Sequence, residues 1–270
     1  MNDTTRDRIE QPCYSIVIPV YNEEEVVGDL LAEIRRFAEK WSDDYELLFV
    51  DDGSSDRTAE IISARFTAWD QGKLIRLSRN CGQAAALLYG MKRSRGKIII
   101  LLDGDGQNDP QDIPKVLAPL SEVDMAVGIR VHRQDSPGRR AMSRVGNAIR
   151  SWILRDGVVD TGCGLKAFHR RVIEAFIPMR TLYSFIPALA ISAGFIVRQV
   201  PVTHRPRTGG KSKYGVRQFL WKPFLDLFGV WWFTLRRSPQ AKEKCDDSLH
   251  RSQILRAARN ASRSDAGGDL

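Results

Sequence analysis

Two aspartates separated by one glycine, Asp103 and Asp105, directly follow a run of five aliphatic residues at 98–102. Three of the five are β-branched, so the run predicts a buried parallel strand that ends in two charges. Carboxylates this close repel each other unless a cation lies between them, and Mg²⁺ and Mn²⁺ prefer oxygen ligands. One interpretation is therefore a metal site at the end of a strand. The alternative is ordinary Asp-Gly turn chemistry, in which glycine takes a positive φ.

The residues before this run repeat a pattern of strand, polar loop and helix. Strands are predicted at 14–20, 47–50 and 74–77, and helices at about 23–40, 57–69 and 83–93. Four strands joined by helical crossovers predict an α/β fold, with a mostly parallel sheet covered by helices on both faces. Polar residues at the strand ends would then meet at one edge, where open α/β sheets bind ligands. These residues are Tyr21, Glu23, Asp51, Asp52, Asp103 and Asp105.

The second half of the chain is rich in cations. Its predicted elements are a helix at 110–120, a strand at 123–128, a basic helix at 139–154 and a strand at 195–202. The arginines of the basic helix, taken alone, indicate a solvated face. The loop at 203–215 combines four cations with hydroxyls and glycines, which favours phosphate capture.

Charge is distributed unevenly along the chain. Residues 1–127 hold 15 Lys/Arg and 23 Asp/Glu (−8), residues 128–237 hold 20 and 5 (+15), and residues 238–270 hold 6 and 5 (+1), which gives the net charge of +8. The basic part suits phosphate, nucleic acid or an acidic membrane surface. Because it contains no nucleic-acid recognition motif and the acidic half would repel phosphate, no nucleic-acid partner is predicted.

The sequence lacks several motifs, and their absence argues against particular locations and protein classes. The four cysteines form no Cys-x-x-Cys pair, which fits a reducing compartment. Residues 1–12 are polar, so no signal peptide and a cytoplasmic location are predicted. No Gly-x-Gly-x-x-Gly follows a strand, which argues against a dinucleotide-binding oxidoreductase, and Arg205 stands where a P-loop would need glycine.

The segment at 217–235 is aromatic and amphipathic. Its polar stripe is narrow and consists of Gln218, Lys222, Asp226 and Gly229. The segment is slightly short for a membrane-spanning helix, which needs about 20 apolar residues. An interfacial helix with aromatic anchors and two flanking arginines is therefore predicted, and the alternative is a helix packed on the domain or on another subunit.

Four motifs together match a known family. They are 15–23 (SIVIPVYNE), 50–56 (VDDGSSD), 103–108 (DGDGQN) and 204–215 (HRPRTGGKSKYG). Over about residues 14–237 the chain resembles the inverting polyprenyl-phosphate glycosyltransferases of family 2. Within that family it is similar to dolichol-phosphate mannose synthases and to bacterial transferases that load aminoarabinose or glucose onto undecaprenyl phosphate.

The resemblance implies a GT-A type nucleotide-sugar-binding fold and a division of the chain. A catalytic domain would span 13–215 and an amphipathic juxtamembrane segment 216–237. The flanking segments, 1–12 and 238–270, are predicted to be disordered. The implied reaction moves one sugar from a nucleotide sugar to dolichyl or undecaprenyl phosphate.

The resemblance also implies roles on the donor side. Pro19, Tyr21, Glu23 and Asp51 would hold the base and ribose of the nucleotide sugar. Asp103, Asp105 and Gln107 would place Mg²⁺ or Mn²⁺ on the diphosphate. Asp105 and Gln107 are expected to touch the ion most directly, while Asp103 faces the nucleotide sugar. Arg205 and Lys211 would lie near the diphosphate.

On the acceptor side, the resemblance implies that Arg130, Arg139 and Ser143 grip the lipid phosphate. The loop between 130 and 139 is shorter than in the mannose synthases, so Arg140 is an alternative to Arg139. The acceptor phosphate is mostly dianionic near pH 7, because its second pKa is about 6, and needs no strong general base. The enzyme must instead supply position and charge neutralisation.

The chain departs from its relatives in having one amphipathic segment where transmembrane helices usually follow the catalytic domain. Peripheral binding to the cytoplasmic membrane face, or to a membrane protein partner, is therefore expected. The arginine of a Gln-x-x-Arg-Trp motif is absent after Gln218, which argues against a polymerase. Two alternatives stay open: a family 2 transferase with a soluble or glycan acceptor, and a non-catalytic protein that binds sugar nucleotides or lipid. No spacing rule specifies the sugar, the base or the polyprenol.

Overall fold

The structure is a computed structural model that describes residues 12–41, 44–131, 137–206 and 218–238, and their side chains outside 137–144 and 218–224. At its centre is a seven-stranded sheet. The strands are β1 (Tyr14–Val20), β2 (Tyr45–Asp51), β3 (Gly72–Arg76), β4 (Ile98–Leu101), β5 (Met125–Val131), β6 (Lys166–His169) and β7 (Val197–Thr203). The helices are α1 (Val27–Lys40), α2 (Thr58–Phe66), α3 (Gln83–Arg93), α4 (Ile113–Leu117), α5 (Pro137–Leu154), α6 (Leu182–Ser192) and α7 (Gln218–Arg236).

The sheet is mostly parallel, as the sequence predicts. Its strand order is β3-β2-β1-β4-β6-β5-β7, and every neighbouring pair is parallel except the two pairs that contain β6. Strand β6 was not predicted, because its four residues begin with a lysine and follow a glycine-rich loop. Its antiparallel insertion places residues 160–166 between the ends of β4 and β5.

Helices cover both faces of the sheet, which confirms the predicted layers. One apolar cluster joins the sheet to α1, α2 and α4, and a second joins it to α3, α6 and α7. Helix α1 illustrates why the helices could be predicted from the sequence, because its buried side chains recur at helical spacing: Val27, Leu30, Leu31, Ile34 and Phe37.

Two helical stretches also differ from prediction. The helix expected at 110–120 is instead α4 between two 3₁₀ turns, Pro110–Asp112 and Ala118–Ser121. Three prolines lie in this stretch, and proline has no N–H with which to continue an α-helical ladder. Helix α6 was missed because it is apolar on nearly all sides and contains Pro187, so it has no amphipathic period to detect.

Helix α7 has two distinct faces. Leu227 and Val230 are buried in the second apolar cluster, and Asp226 Oδ2 accepts a 2.7 Å hydrogen bond from Thr181 Oγ1. The opposite face exposes Leu225, Phe228, Trp232 and Leu235. One face therefore packs on the domain, as the alternative interpretation of this segment expects. None of the helices described here is long and apolar enough to cross a bilayer.

Parts of the sequence-based prediction fall outside the residues that the structure describes. Lys211 lies there, and so do the predicted disordered ends apart from residues 12 and 238.

Candidate active site

Three parallel strands end side by side and carry the acidic residues to one edge. Val20 pairs with Asp51 in the register of β1 and β2, while Val17 pairs with Leu101 at the end of β4. Asp103 therefore follows directly at the same edge. The strand-end residues named above are brought together here, and we call this group the acidic edge.

The two neighbouring aspartates at the end of β2 have different partners. Asp51 is fully buried; its Oδ1 accepts from the Ser54 N–H at 2.9 Å and its Oδ2 from Arg76 Nε at 3.2 Å. Asp52 accepts from the N–H groups of Cys81 and Gly82, both at 2.8 Å. Asp52 thus holds the loop that leads into α3, a structural function that its sequence position alone does not reveal.

The loop after β1 is held in a fixed conformation. Asn22 has φ of 50°, and its side-chain oxygen accepts from the Ser55 N–H at 2.8 Å. The Glu23 N–H donates to Thr58 Oγ1 at 2.8 Å. Pro19 is buried within β1, whereas Tyr21 and Glu23 are partly exposed at the edge. These contacts join the ends of β1 and β2 into one rigid rim.

The segment from Asp103 to Gln107 is a turn and also an array of oxygen atoms. Asp105 Oδ1 accepts from the Gln107 N–H at 3.2 Å, and Gly106 has φ of 72°. Asp103 Oδ1 accepts from Gln83 Nε2 at 3.1 Å. The segment therefore has the Asp-Gly turn geometry of the alternative interpretation. This turn is also compatible with the binding of a metal ion by the same residues.

The donor atoms of this turn fit a hard divalent cation. Asp103, Asp105 and Gln107 are all partly exposed and offer two carboxylates and an amide oxygen. Gln107 Nε2 donates to the Arg205 carbonyl at 3.4 Å, which directs the amide oxygen away from residue 205. In the described ranges no three His, Cys, Asp or Glu side chains could hold an ion alone. Such a site suits Mg²⁺ or Mn²⁺ when substrate phosphates and water supply the other oxygens.

Arg205 joins the end of β7 to this turn. Its Nη1 donates to Glu33 Oε2 of α1 at 2.8 Å, its Nη2 donates to Asp109, and its N–H donates to the Gln107 carbonyl at 3.0 Å. Burial lowers the pKa of Arg205, but the carboxylates of Asp109 and Glu33 outweigh that effect and raise it overall. The guanidinium thus bonds two carboxylates beside the turn from Asp103 to Gln107, and its predicted role near the diphosphate stays a prediction.

Arg130 lies at the end of β5, which is separated from β4 by β6. Nε and Nη2 donate to the two oxygens of Asp160 at 2.8 and 2.7 Å. Burial lowers the pKa of Arg130, yet the hydrogen bond and the charge of Asp160 outweigh it and raise the pKa overall. Arg139, Arg140 and Ser143 all belong to α5, whose described side chains begin at 145.

A buried lysine lies between the acidic edge and Arg130. Lys166 is 2% exposed, and its Nζ donates to the Cys163 carbonyl. Burial lowers the pKa of Lys166, while the charges of Asp103 and Asp160 oppose that shift. Burial also raises the pKa of the Cys163 thiol to about 11.

Sequence reasoning missed three residues of this site: Gln83, Asp160 and Lys166. Asp160 begins a stretch that reads only as a tight loop before residue 166. Gln83 is the first residue of α3, and a helix-initial glutamine carries no functional signal. For Lys166 the sequence contains no signal at all, because nothing in it reveals that this lysine is buried.

The comparisons with known proteins identify the family of the chain. Residues 15–176 match the model of glycosyl transferase family 2. An undecaprenyl-phosphate 4-deoxy-4-formamido-L-arabinose transferase from Pseudomonas fluorescens is 38% identical over 75% of this chain and 60% of its own length. A dodecaprenyl-phosphate galacturonate synthase from Rhizobium johnstonii is 35% identical over 85% of this chain and 69% of its own length.

A solved structure shares the fold at low sequence identity. A mannosyltransferase from Pyrobaculum calidifontis, in complex with GDP-Man and Mn²⁺, superposes with a TM-score of 0.60 at 18% identity, over 97% of this chain and 77% of the other. The chain spans about 60% of the length of the arabinose transferase above. The match over residues 15–176 and these identities show that the chain belongs to glycosyl transferase family 2 and has the GT-A type fold.

Proposed function

We propose that this protein moves a single sugar from a nucleotide sugar to a polyprenyl phosphate, with inversion at the anomeric carbon. One observation carries the proposal: the acidic edge and Arg130 lie on opposite sides of β6, at the same end of the sheet. A carboxylate array suited to a metal-bound diphosphate thus lies beside an arginine suited to a phosphate monoester. The names of the two relatives, both transferases or synthases of polyprenyl-phosphate sugars, support the same assignment.

On the donor side, the chain's own residues bind and orient the nucleotide sugar. Tyr21 and Glu23 are partly exposed and would contact the base and ribose directly, while the buried Pro19 and Asp51 would support them from within the rigid rim. Asp103, Asp105 and Gln107 would hold the divalent ion, which when bound neutralises charge on the departing diphosphate. The ion in the mannosyltransferase complex is Mn²⁺, and Mg²⁺ is the alternative for this chain.

On the acceptor side, the phosphate is already a dianion near pH 7, since its second pKa is about 6. The carboxylate of Asp160 is committed to Arg130, so we assign it no role as a base. Arg130, together with Arg139 or Arg140 and Ser143 of α5, would hold the phosphate in line with the anomeric carbon. Positioning and charge neutralisation are then the main contributions of the protein.

A polyprenyl phosphate is held in a membrane, so an enzyme that uses it needs a surface that contacts the membrane. Helices α5 and α7 expose large apolar side chains that suit such a contact. These two helices pack against each other. Trp152 on α5 is 81% exposed and Leu225 on α7 is 73% exposed, which is unusual for side chains of this size. Arg155, which directly follows α5, and Arg236 at the end of α7 are both exposed. We propose that this surface binds the cytoplasmic face of a membrane peripherally, beside the site of the lipid phosphate.

The deciding experiment incubates the purified chain with a panel of radiolabelled nucleotide sugars, Mn²⁺, and undecaprenyl or dolichyl phosphate. The expected product extracts into butanol and has the mass of the polyprenyl phosphate plus one sugar. The Asp105→Ala variant should form none. Asp112→Asn is the matched control, because Asp112 is a buried aspartate nearby that bonds Lys115 and the Thr203 N–H.

Two outcomes would contradict the proposal. Label that appears only in a water-soluble product, once soluble acceptors are added, would favour a transferase with a soluble acceptor. No product with any donor, together with unchanged cellular activity of Asp105→Ala, would favour a non-catalytic binding protein.

A further inference from the structure

The segment from Asp160 to Lys166 contacts both halves of the site. It enters β6 between β4, which leads to Asp103, and β5, which leads to Arg130. In register, Lys166 lies opposite Leu101 on one side and Val127 on the other. The segment therefore occupies the gap between the donor carboxylates and the acceptor-side arginine.

Its first half contacts the acceptor side. Asp160 makes the two-point ion pair with Arg130, and Thr161 Oγ1 donates to Asn147 Oδ1 of α5 at 3.2 Å. Asn147 Nδ2 in turn donates to the Val159 carbonyl at 2.9 Å. At Gly162, a Cβ atom would lie 2.5 Å from Arg130 Nη2, so the guanidinium lies directly against the backbone.

Its second half contacts the donor side. At Gly164, a Cβ atom would lie 2.1 Å from Asp103 Oδ2 and 2.7 Å from Asn108 Oδ1. Any side chain at this position would displace the carboxylate of Asp103. The two glycines, two residues apart, thus bring one backbone segment into contact with groups assigned to the two substrates.

Lys166 anchors this segment from inside the protein. Its ammonium donates to the Cys163 carbonyl, between the two glycines, and is buried. Burying an ammonium is costly unless it is paired, and the charges of Asp103 and Asp160 both act on it. A buried cation that bonds the segment and lies within electrostatic reach of both aspartates resists movement of either one.

We propose that the segment from Asp160 to Lys166 sets the spacing between the donor and acceptor halves of the site, with Lys166 as the buried positioning residue that anchors it. This inference rests on the proposed function, because that function defines which half of the site is the donor half and which is the acceptor half. Gly164 controls the position of Asp103, Gly162 controls the position of Arg130, and Lys166 controls both.

The test compares two glycine variants in the full chain. Gly164→Ala should weaken calorimetric binding of Mn²⁺ with UDP or GDP at least fivefold and leave the KM for polyprenyl phosphate within about twofold. Gly162→Ala should raise the KM for polyprenyl phosphate at least fivefold and leave the binding of Mn²⁺ with UDP or GDP within about twofold. Gly146→Ala on α5 is the control, because a Cβ atom at that position would meet no neighbouring atom within 4 Å, and neither quantity should change.

A lysine variant tests the anchor. Lys166→Met should lower kcat at least tenfold and weaken nucleotide binding, even at temperatures where it is fully folded. Arg170→Met is the control: Arg170 follows the other end of β6 and likewise donates to a backbone carbonyl, that of Gly96 at 2.7 Å. It should lower the melting temperature without changing kcat or KM. In an Asp103→Asn background, Lys166→Met should weaken nucleotide binding less than it does alone.

Two results would overturn the inference. One is that Gly164→Ala and Gly162→Ala weaken nucleotide binding to the same extent and raise the KM for polyprenyl phosphate to the same extent. The other is a Lys166→Met protein that melts lower but retains its kcat and nucleotide affinity. If Lys166→Met does not fold, the glycine pair decides. Calorimetric nucleotide binding needs no acceptor. A failed transfer assay would therefore count against the proposed function, while the nucleotide affinities of Gly164→Ala, Gly162→Ala and Lys166→Met would still test this inference.

Discussion

Arg130 of β5 and Asp160, 30 residues later in the loop before β6, form a two-point ion pair. Both N–H···O distances are below 2.9 Å, and the side chains are only 14% and 6% exposed. The Arg130 N–H also donates to Asp160 Oδ2 at 3.1 Å. The guanidinium at the candidate acceptor site is therefore oriented before any substrate binds, which lowers the cost of ordering it on binding.

Replacing Asp160 with asparagine should destabilise the fold, because a buried guanidinium loses its counter-charge. We expect a loss of roughly 3 kcal/mol in the free energy of unfolding. Chemical denaturation measures it. Glu122→Gln is the matched control: it breaks the exposed 2.9 Å pair with Arg198 and should cost less than about 1 kcal/mol. Equal losses in the two variants would show that burial of the first pair has no energetic effect.

Removal of the divalent ion should stop the reaction reversibly. Chelation is expected to abolish turnover, and either Mn²⁺ or Mg²⁺ should restore it, because the donor atoms are all oxygen. Asp105→Asn should raise the half-saturating Mn²⁺ concentration by about tenfold or more while the melting temperature stays within about 2 °C. An activity that persists in excess chelator would contradict the assignment of this turn.

Gln83 should matter for donor binding although it lies outside every recognised motif. Its Nε2 donates to Asp103 Oδ1 at 3.1 Å, and hydrogen bonds to charged groups are worth about 1.5–3 kcal/mol. Gln83→Leu is therefore expected to raise the KM of the nucleotide sugar by about tenfold. Initial-rate kinetics at saturating acceptor measure it, and an unchanged donor KM would be evidence against an orienting role.

Stability should respond to alkaline pH through Cys163. Burial raises the pKa of this thiol from 9.0 to about 11, so the native state keeps a proton that the unfolded chain releases. The stabilising contribution is fully present below about pH 9 and is lost as the pH rises through 11. Two pKa units correspond to roughly 3 kcal/mol.

The measurement is urea denaturation of the wild type and Cys163→Ala from pH 7 to 10.5. The wild type should lose its advantage over the variant as the pH rises. Cys81→Ala is the control, since Cys81 is exposed. A constant difference between wild type and Cys163→Ala across this range would contradict the expectation.

Membrane binding should depend on the exposed faces of α5 and α7. Trp152→Asp or Phe228→Asp should weaken co-sedimentation with anionic lipid vesicles by tenfold or more, because burying one large apolar side chain is worth about 1.5–3 kcal/mol. Ile196→Asp is the control, since Ile196 is 55% exposed but precedes β7 at the opposite end from the site. Vesicle binding that is equal in all three variants would rule out this surface.

The elements that could be read from the sequence are those with a regular local signal. Strand β4 is a continuous β-branched run, and α1 has a clear helical period. Helix α6 and strand β6 lack such signals, because one is apolar on nearly every side and the other is four residues long. Packing rather than propensity decides structure in such stretches.

The sequence by itself determined the parallel sheet, the acidic strand ends and the family, because strand periodicity and short motifs are local properties of the chain. Tertiary structure alone decided that Asp103 lies against Gly164, that Arg130 pairs with Asp160 and that Lys166 is buried between them. These contacts join residues 30 to 61 positions apart, and they exist because an antiparallel strand inserts between β4 and β5. No local pattern encodes which distant backbone meets a given carboxylate, so the spacing of the site follows from the fold.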